Sequence, residues 1–189
     1  MAGYRPGMGK VHDHLDEALR TWISRQHVFF VGTAPDGSDG HVNVSPKGMD
    51  RTFRVLDDGR CAYLDLTGSG IETVAHLRQN GRITLMWCAF DGPARIVRVQ
   101  GSGRVVLPGS EDWAGLIDGF VQQRGARAVI VVEPDRIADS CGYSVPLMSY
   151  RADRTRLAEW AEQKSDQDLE AYRRQKNATS IDGLPGLDL

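Results

Sequence analysis

Paired cysteines, long apolar runs and an excess of either charge are all missing from this chain, and each absence closes off a class of protein. Cys61, Cys88 and Cys141 make an odd number, and none stands in a C-x-x-C pair. A disulfide-stapled module or a zinc knuckle needs a regular cysteine set, so reduced thiols in a cytoplasmic protein are expected. The longest apolar runs, at residues 28–31 and 128–132, fall far short of the roughly 20 residues that span a bilayer. The residues before Gln26 show no signal-peptide pattern. With 23 basic and 25 acidic residues the formal net charge is -2 and basic clusters are absent, so no strong field draws the chain to nucleic acid or a membrane. Motifs for common mechanisms are missing as well. There is no G-x-S-x-G elbow, phosphate-binding Walker loop or H-E-x-x-H, and Gly101-Ser102-Gly103 is only a fragment of a dinucleotide-binding turn. His12 and His14, near a helix start, point to different faces, and no metal site is expected from them.

What is present is an alternation of short strands and a few helices. At 189 residues the chain is expected to form one domain with terminal additions, large enough to bury a core unaided. Val11, Leu15, Ala18, Leu19, Trp22 and Ile23 make a helical stripe, predicting an amphipathic helix to about Arg25. Strands are predicted at residues 28–33 and 41–45 around the turn cluster at 34–40, and at 52–56 and 60–66 around Asp57-Asp58-Gly59. A helix from Ser69 to Asn80-Gly81 follows, then strands at 82–88 and 95–106, where Gly101 and Gly103 suggest bulges or a corner. Trp113, Leu116, Ile117, Phe120 and Val121 mark another helix face, residues 126–132 a strand, residues 153–172 one surface helix, and the tail from Ser180 to Leu189 reads as extended. Hairpin-linked strands with inserted helices argue for an antiparallel barrel, mainly β with helices (α+β), over a doubly wound parallel sheet.

Usable chemistry is concentrated between His41 and Arg82. A polar strand carries Asn43, Ser45 and Lys47, and a small-residue turn, Leu66-Thr67-Gly68-Ser69-Gly70, opens a helix. Side-chain donors and free helix N–H groups together suit an anion. Ser69 and Glu72 also fit a capping box, which is complete without any ligand. Lys47 likewise has a plainer reading as a solvated charge, and Arg98 and Gln100 as the wet face of a sheet.

Taken in order, Phe29-Phe30-Val31-Gly32-Thr33, Asn43-Val44-Ser45-Pro46-Lys47-Gly48, Tyr63-Leu64-Asp65-Leu66-Thr67-Gly68-Ser69, Asn80-Gly81-Arg82-Ile83 and Arg95-Ile96-Val97-Arg98-Val99-Gln100-Gly101 resemble the pyridoxamine 5'-phosphate oxidase-related family of flavin-binding split barrels. The resemblance covers roughly residues 27–145, leaving 1–26 as an N-terminal helical segment and 146–189 as a C-terminal helix and tail. It implies a six-stranded antiparallel split β-barrel, a homodimer with FMN at the interface, and an FMN-dependent oxidoreductase acting on a small molecule. The alternative within the same resemblance is a non-catalytic dimer binding flavin, the deazaflavin F420 or haem, with His41 or His76 as candidate axial ligands. Carried over by position, Asn43, Ser45, Lys47, Thr67 and Ser69 are expected cofactor contacts. Arg98 and Gln100 are expected to reach the partner subunit's flavin. One departure stands out: vitamin-oxidising relatives carry an Arg-Lys pair where this chain has Gly70-Ile71. Charge for a phosphate is therefore expected from Lys47, from Arg78 or Arg82, or from elsewhere.

Overall fold

The computed structural model describes residues 9–121 and 124–188. The first eight residues of the expected N-terminal segment, and Leu189 at the end of the tail, lie outside the described residues. The chain forms one curled antiparallel sheet, a split β-barrel, with helices packed against it. Its strands are β1 (Val11–His12), β2 (Phe29–Thr33), β3 (Asn43–Lys47), β4 (Phe53–Val55), β5 (Cys61–Leu66), β6 (Arg82–Cys88), β7 (Ile96–Val106) and β8 (Ala126–Ser140). Their order in the sheet is β3-β2-β6-β7-β8-β5-β4, with β1 paired to β8. Among the described residues eight strands stand where the resemblance implied six, the short β1 being the piece that no strand prediction covered.

Inward residues obey the period of two. Phe29, Val31, Leu85, Trp87, Val97 and Val99 alternate into the main core, which also holds Tyr63, Ile130 and the helix residues Leu19 and Val74. β5 is buried along nearly its whole length because a second apolar cluster, including Leu64, Val129, Ile117 and Phe120, covers its other face. Cys61 lies inside the main core, and burial pushes its thiol up to about 12. Cys88 is buried too, whereas Cys141 is exposed.

Helix α1 (Glu17–Ser24) begins later than its apolar stripe suggested. Asp16 caps it by accepting the Leu19 N–H at 2.8 Å, and Val11 belongs to β1 instead. Helix α2 (Glu72–Asn80) ends as predicted, with Gly81 in the left-handed region at φ 71°. Its start differs from expectation: Ile71 is the N-cap residue and no side chain caps it, so Ser69 and Glu72 form no capping box. Glu72 instead accepts the backbone N–H of Ile181. Helix α3 (Trp113–Ile117) stops short of Phe120, which is buried beyond it, and of Val121, which is exposed.

Two bulges shape the long strands. Between Gln100 and Gly101 the β7–β8 register shifts, passing from Arg136 to Pro134 on the partner strand. Pro134 lacks an N–H for the ladder, and a Cβ on Gly101 would stand 2.0 Å from the Glu133 carbonyl oxygen, so only glycine fits. The second shift lies between Asp65 and Leu66, which pair with Ala128 and Ala126, leaving Arg127 as the extra residue. The expected single C-terminal helix is two, α4 (Arg156–Glu162) and α5 (Asp166–Lys176). Ser165 interrupts them because it and Asp168 form a reciprocal capping box. The tail folds back rather than extending freely: Thr179 bridges Pro185, Leu187 is buried, and Arg78 holds Gly186 and Asp188.

Candidate functional site

A cleft of about 1110 Å³ opens beside β3. One wall comes from the barrel: Ser45 and Lys47 on β3, Thr67, Gly68 and Gly70 in the turn after β5, Thr73 on α2, and Arg127 on β8. The facing wall comes from residues 148–160, with Met148, Tyr150, Arg154, Leu157 and Trp160. His27 joins the two by stacking on Tyr150, ring centroids 3.6 Å apart and nearly parallel.

The barrel wall is organised around Asp65, which is 1% exposed. Its two carboxylate oxygens take Lys47 Nζ at 2.9 Å and Arg127 Nε at 2.8 Å. Burial by itself would raise the Asp65 pKa; the two cations overturn that and hold it at about 2. The bulge is what aims Arg127: as the unpaired residue of β8 it turns its side chain under the 67–70 turn. Its other nitrogens donate to Gly68 O at 3.2 Å and Gly70 O at 2.8 Å. Lys47 also lies 5.9 Å above the Tyr63 ring.

The structure brings together some of the residues marked by sequence and separates others. Lys47 reaches the cleft with donor capacity left, since an ammonium has three N–H groups and Asp65 Oδ1 takes one. Ser45 also lines the cleft, but its hydroxyl donates to Asn43 Oδ1 at 2.9 Å. Asn43 lies behind it, its amide donating to Thr33 and Thr73 hydroxyls at 3.1 Å each. Thr67 lines the cleft and is 1% exposed; its hydroxyl hydrogen is committed to Gly125 O at 2.7 Å, so it cannot donate to an anion. Ser69 is exposed and outside the lining. Arg98 and Gln100 sit on the β7 face opposite buried Val97 and Val99, where they meet Ser140 Oγ and Arg136. Neither lines this cleft.

The other candidates lie elsewhere. Arg78 is tied to the tail, and Arg82 donates to Pro35 O and Asp36, so neither replaces the absent basic pair at the cleft. His41 is bound to Asp182 at 2.6 Å, and His76 is buried with Nδ1 3.0 Å from Thr33 Oγ1. Burial pushes the His76 pKa down, and neither histidine lines the cleft. The residue that sequence reading passed over is Arg127. Its signal was a lone charge inside the apolar run at 126–132, matched by Asp65 inside the apolar strand at 61–66.

The family model described as Pyridoxamine 5'-phosphate oxidase matches residues 15–141. A curated relative, the pyridoxamine 5'-phosphate oxidase family protein ustO of Aspergillus flavus, is 41% identical over 192 residues, covering 93% of this chain and 77% of the relative. Among solved structures, HupZ of Group A Streptococcus aligns at 22% identity and a TM-score of 0.50, over 65% of this chain and 90% of its own. A single-residue variant of HupZ aligns at 22% identity and 0.52, over 66% and 98%. These two likenesses concern the barrel. No described helix is long and apolar enough to cross a membrane. With two thirds of its length matched by the family model and a relative at this identity, the chain belongs to the pyridoxamine 5'-phosphate oxidase family.

Proposed function

We propose that the protein is an FMN-dependent oxidoreductase, working as a homodimer on a small molecule bound in the cleft beside β3. The observation that carries this reading is the Lys47–Asp65–Arg127 array under a turn that lines the cleft. Two cations share one buried carboxylate, which leaves this array one positive charge in excess beside the turn that the family resemblance assigns to the flavin edge and phosphate. The donor set therefore fits an anionic cofactor. The cleft is also large enough: pockets for drug-sized ligands run to about 1,000 Å³.

FMN, when bound, supplies hydride transfer to or from a substrate, with dioxygen or a nicotinamide as the other redox partner. The chain's own residues hold and shield it. Lys47 offers its remaining N–H groups to the phosphate or the flavin, and Asp65 holds that ammonium in place. Leu64, Leu66 and Phe90 give the lining its apolar part. Arg98 and Gln100, on the face of β7 turned from the core, are the side chains through which a second copy's cofactor would be met. Free thiols at Cys61, Cys88 and Cys141 suit a reducing, cytoplasmic setting.

The test is an absorption spectrum of the purified protein before and after incubation with FMN, followed by addition of NADPH and then air. A flavin band that bleaches with NADPH and returns in air is the expected result. A colourless preparation that acquires no flavin band overturns the reading. A bound flavin that no donor reduces favours a carrier without turnover.

A further inference from the structure

Of the barrel-wall hydroxyls among the described residues, Thr73 alone keeps a hydrogen to give. Ser45 spends its own on Asn43 Oδ1 at 2.9 Å, Thr52 on Gly48 O at 2.9 Å and Thr67 on Gly125 O at 2.7 Å. Thr73, in the first turn of α2, lines the cleft and accepts from Asn43 Nδ2 at 3.1 Å. Its own hydrogen meets no acceptor among the described residues.

The direction of this chain is imposed from behind. Asn43 spends both amide hydrogens, one on Thr73 and one on Thr33 Oγ1, also at 3.1 Å. Thr33 Oγ1 lies 3.0 Å from His76 Nδ1, and both residues are buried. Because Thr33 accepts from Asn43, its hydrogen is left for His76, whose Nδ1 is then the bare nitrogen of a neutral ring. Burial, the largest influence on that ring, pushes its pKa down and keeps it neutral at neutral pH. The ring proton accordingly stands on Nε2, which is buried without a hydrogen-bond partner.

The other tautomer would reverse the chain. With the proton on Nδ1, Thr33 would have its hydrogen for Asn43, and the amide would turn over to accept from Thr33 and Thr73 and to donate to Ser45. Ser45 would then hold the spare hydrogen, and Thr73 would have none. The ring of His76 lies outside the cleft lining, yet through Thr33 and Asn43 it decides which hydroxyl a ligand finds as a donor.

We propose that Thr73 is the hydroxyl that donates to the cofactor, and that His76, with its proton on Nε2, is the positioning residue that directs it. The group recognised is an acceptor oxygen, which both the phosphate and the sugar-alcohol chain of FMN carry. The inference rests on the FMN reading of the cleft.

The test has two arms. In the first, nitrogen NMR of histidine-labelled protein reads the His76 ring, with His76→Gln identifying its signals. A bare Nδ1 and a protonated Nε2 are expected; a proton on Nδ1 overturns the inference whether or not a flavin binds. In the second, dissociation constants of FMN and riboflavin are compared in the wild type, Thr73→Val, Thr73→Ser and Ser45→Ala. Thr73→Val is expected to lose roughly tenfold in FMN affinity, Thr73→Ser about twofold at most, and Ser45→Ala less than about threefold. Riboflavin weakened along with FMN in Thr73→Val assigns the oxygen to the sugar-alcohol chain, and riboflavin unaffected assigns it to the phosphate. An unchanged FMN affinity in Thr73→Val, or a loss as full in Thr73→Ser, overturns the inference. So does a loss in Ser45→Ala larger than that in Thr73→Val. If Thr73→Val does not fold, Ser45→Ala and the ring spectrum decide, since a reversed chain shows a tenfold loss in the one and a protonated Nδ1 in the other. A wild type that binds neither flavin overturns the functional reading and the role of Thr73 with it, an outcome distinct from a flavin-binding wild type whose Thr73→Val variant is unimpaired.

Discussion

The two walls of the cleft are built on different principles. On the barrel side, Asp65 and Arg127 are almost fully buried, and Ser45, Asn43, Thr33 and Thr73 hold one another by hydrogen bonds. On the facing side, residues 148–155 have no regular structure, and Met148, Tyr150 and Leu157 are exposed apolar side chains. A buried, interlocked wall fixes geometry at the cost of adaptability, as a cofactor that must sit in one pose requires. An open wall of aromatic and flexible side chains tolerates ligands of varied shape. The barrel wall falls mostly within the segment matched by the family model and the facing wall falls outside it. Under the function proposed above, cofactor binding and substrate choice are thereby separated along the chain.

The largest effect that would break this contrast comes from Asp65→Asn. The neutral isostere leaves the buried Arg127 and the half-buried Lys47 facing each other without a counter-charge, a change that typically costs about 3–5 kcal/mol. Denaturant unfolding followed by tryptophan fluorescence measures it. A loss below about 1 kcal/mol would mean the barrel wall is not held by this array. Acid withdraws the same interaction gradually. Because the folded pKa of Asp65 is held at about 2 against an ordinary 3.8, its contribution is complete above roughly pH 4 and is lost as pH falls toward 2. Asp139, which burial would raise but Arg95, Lys10 and His12 hold low, titrates in the same direction. Stability measured from pH 5 to 2 should fall for the wild type and fall less for Asp65→Asn, where this carboxylate is already gone.

Most strands were legible in the sequence because they are short, alternating and punctuated by Asp-Gly, Asn-Gly and Pro-Gly. The bulge at Gly101 was legible for the same local reason. What escaped was settled by distant partners. The second half of β8 carries Glu133-Pro134-Asp135-Arg136, polar residues and a proline past the predicted end at 132, and becomes a strand only with β7 laid beside it. Ser69 and Glu72 matched a cap by spacing, yet burial of Ile71 and the pull of Ile181 on Glu72 determine the actual helix start. Of the candidate site, Lys47 was readable as a cation at a strand end. Its counter-ion Asp65 and the bulged Arg127 were not, since Arg127 meets the site across a separation of 62 residues. A charge inside an apolar strand was the one available clue, because such a charge demands a partner.

Lys47→Ala sharpens the contrast at the level of binding. Removing an ammonium that faces the cleft is expected to weaken FMN by roughly 1–3 kcal/mol, as for a charge-assisted hydrogen bond, with quenching of flavin fluorescence as the readout. Asp65 keeps Arg127, so the fold should survive better than in Asp65→Asn. An unchanged dissociation constant would remove Lys47 from the cofactor site and shift the burden to the buried Arg127.

The smallest effect belongs to the facing wall, and its smallness is the point. Tyr150 is 50% exposed and its chief contact is the stack on His27, so Tyr150→Ala should cost at most about 1 kcal/mol in stability. Its effect on FMN affinity should be below roughly threefold, because Lys47 and Arg127 lie on the other wall. The variant should instead alter the rates at which different donors reduce the bound flavin, measured as bleaching under anaerobic conditions. If Tyr150→Ala released FMN as readily as Lys47→Ala, the aromatic wall would be part of the cofactor site, and the separation of cofactor binding from substrate choice would fail.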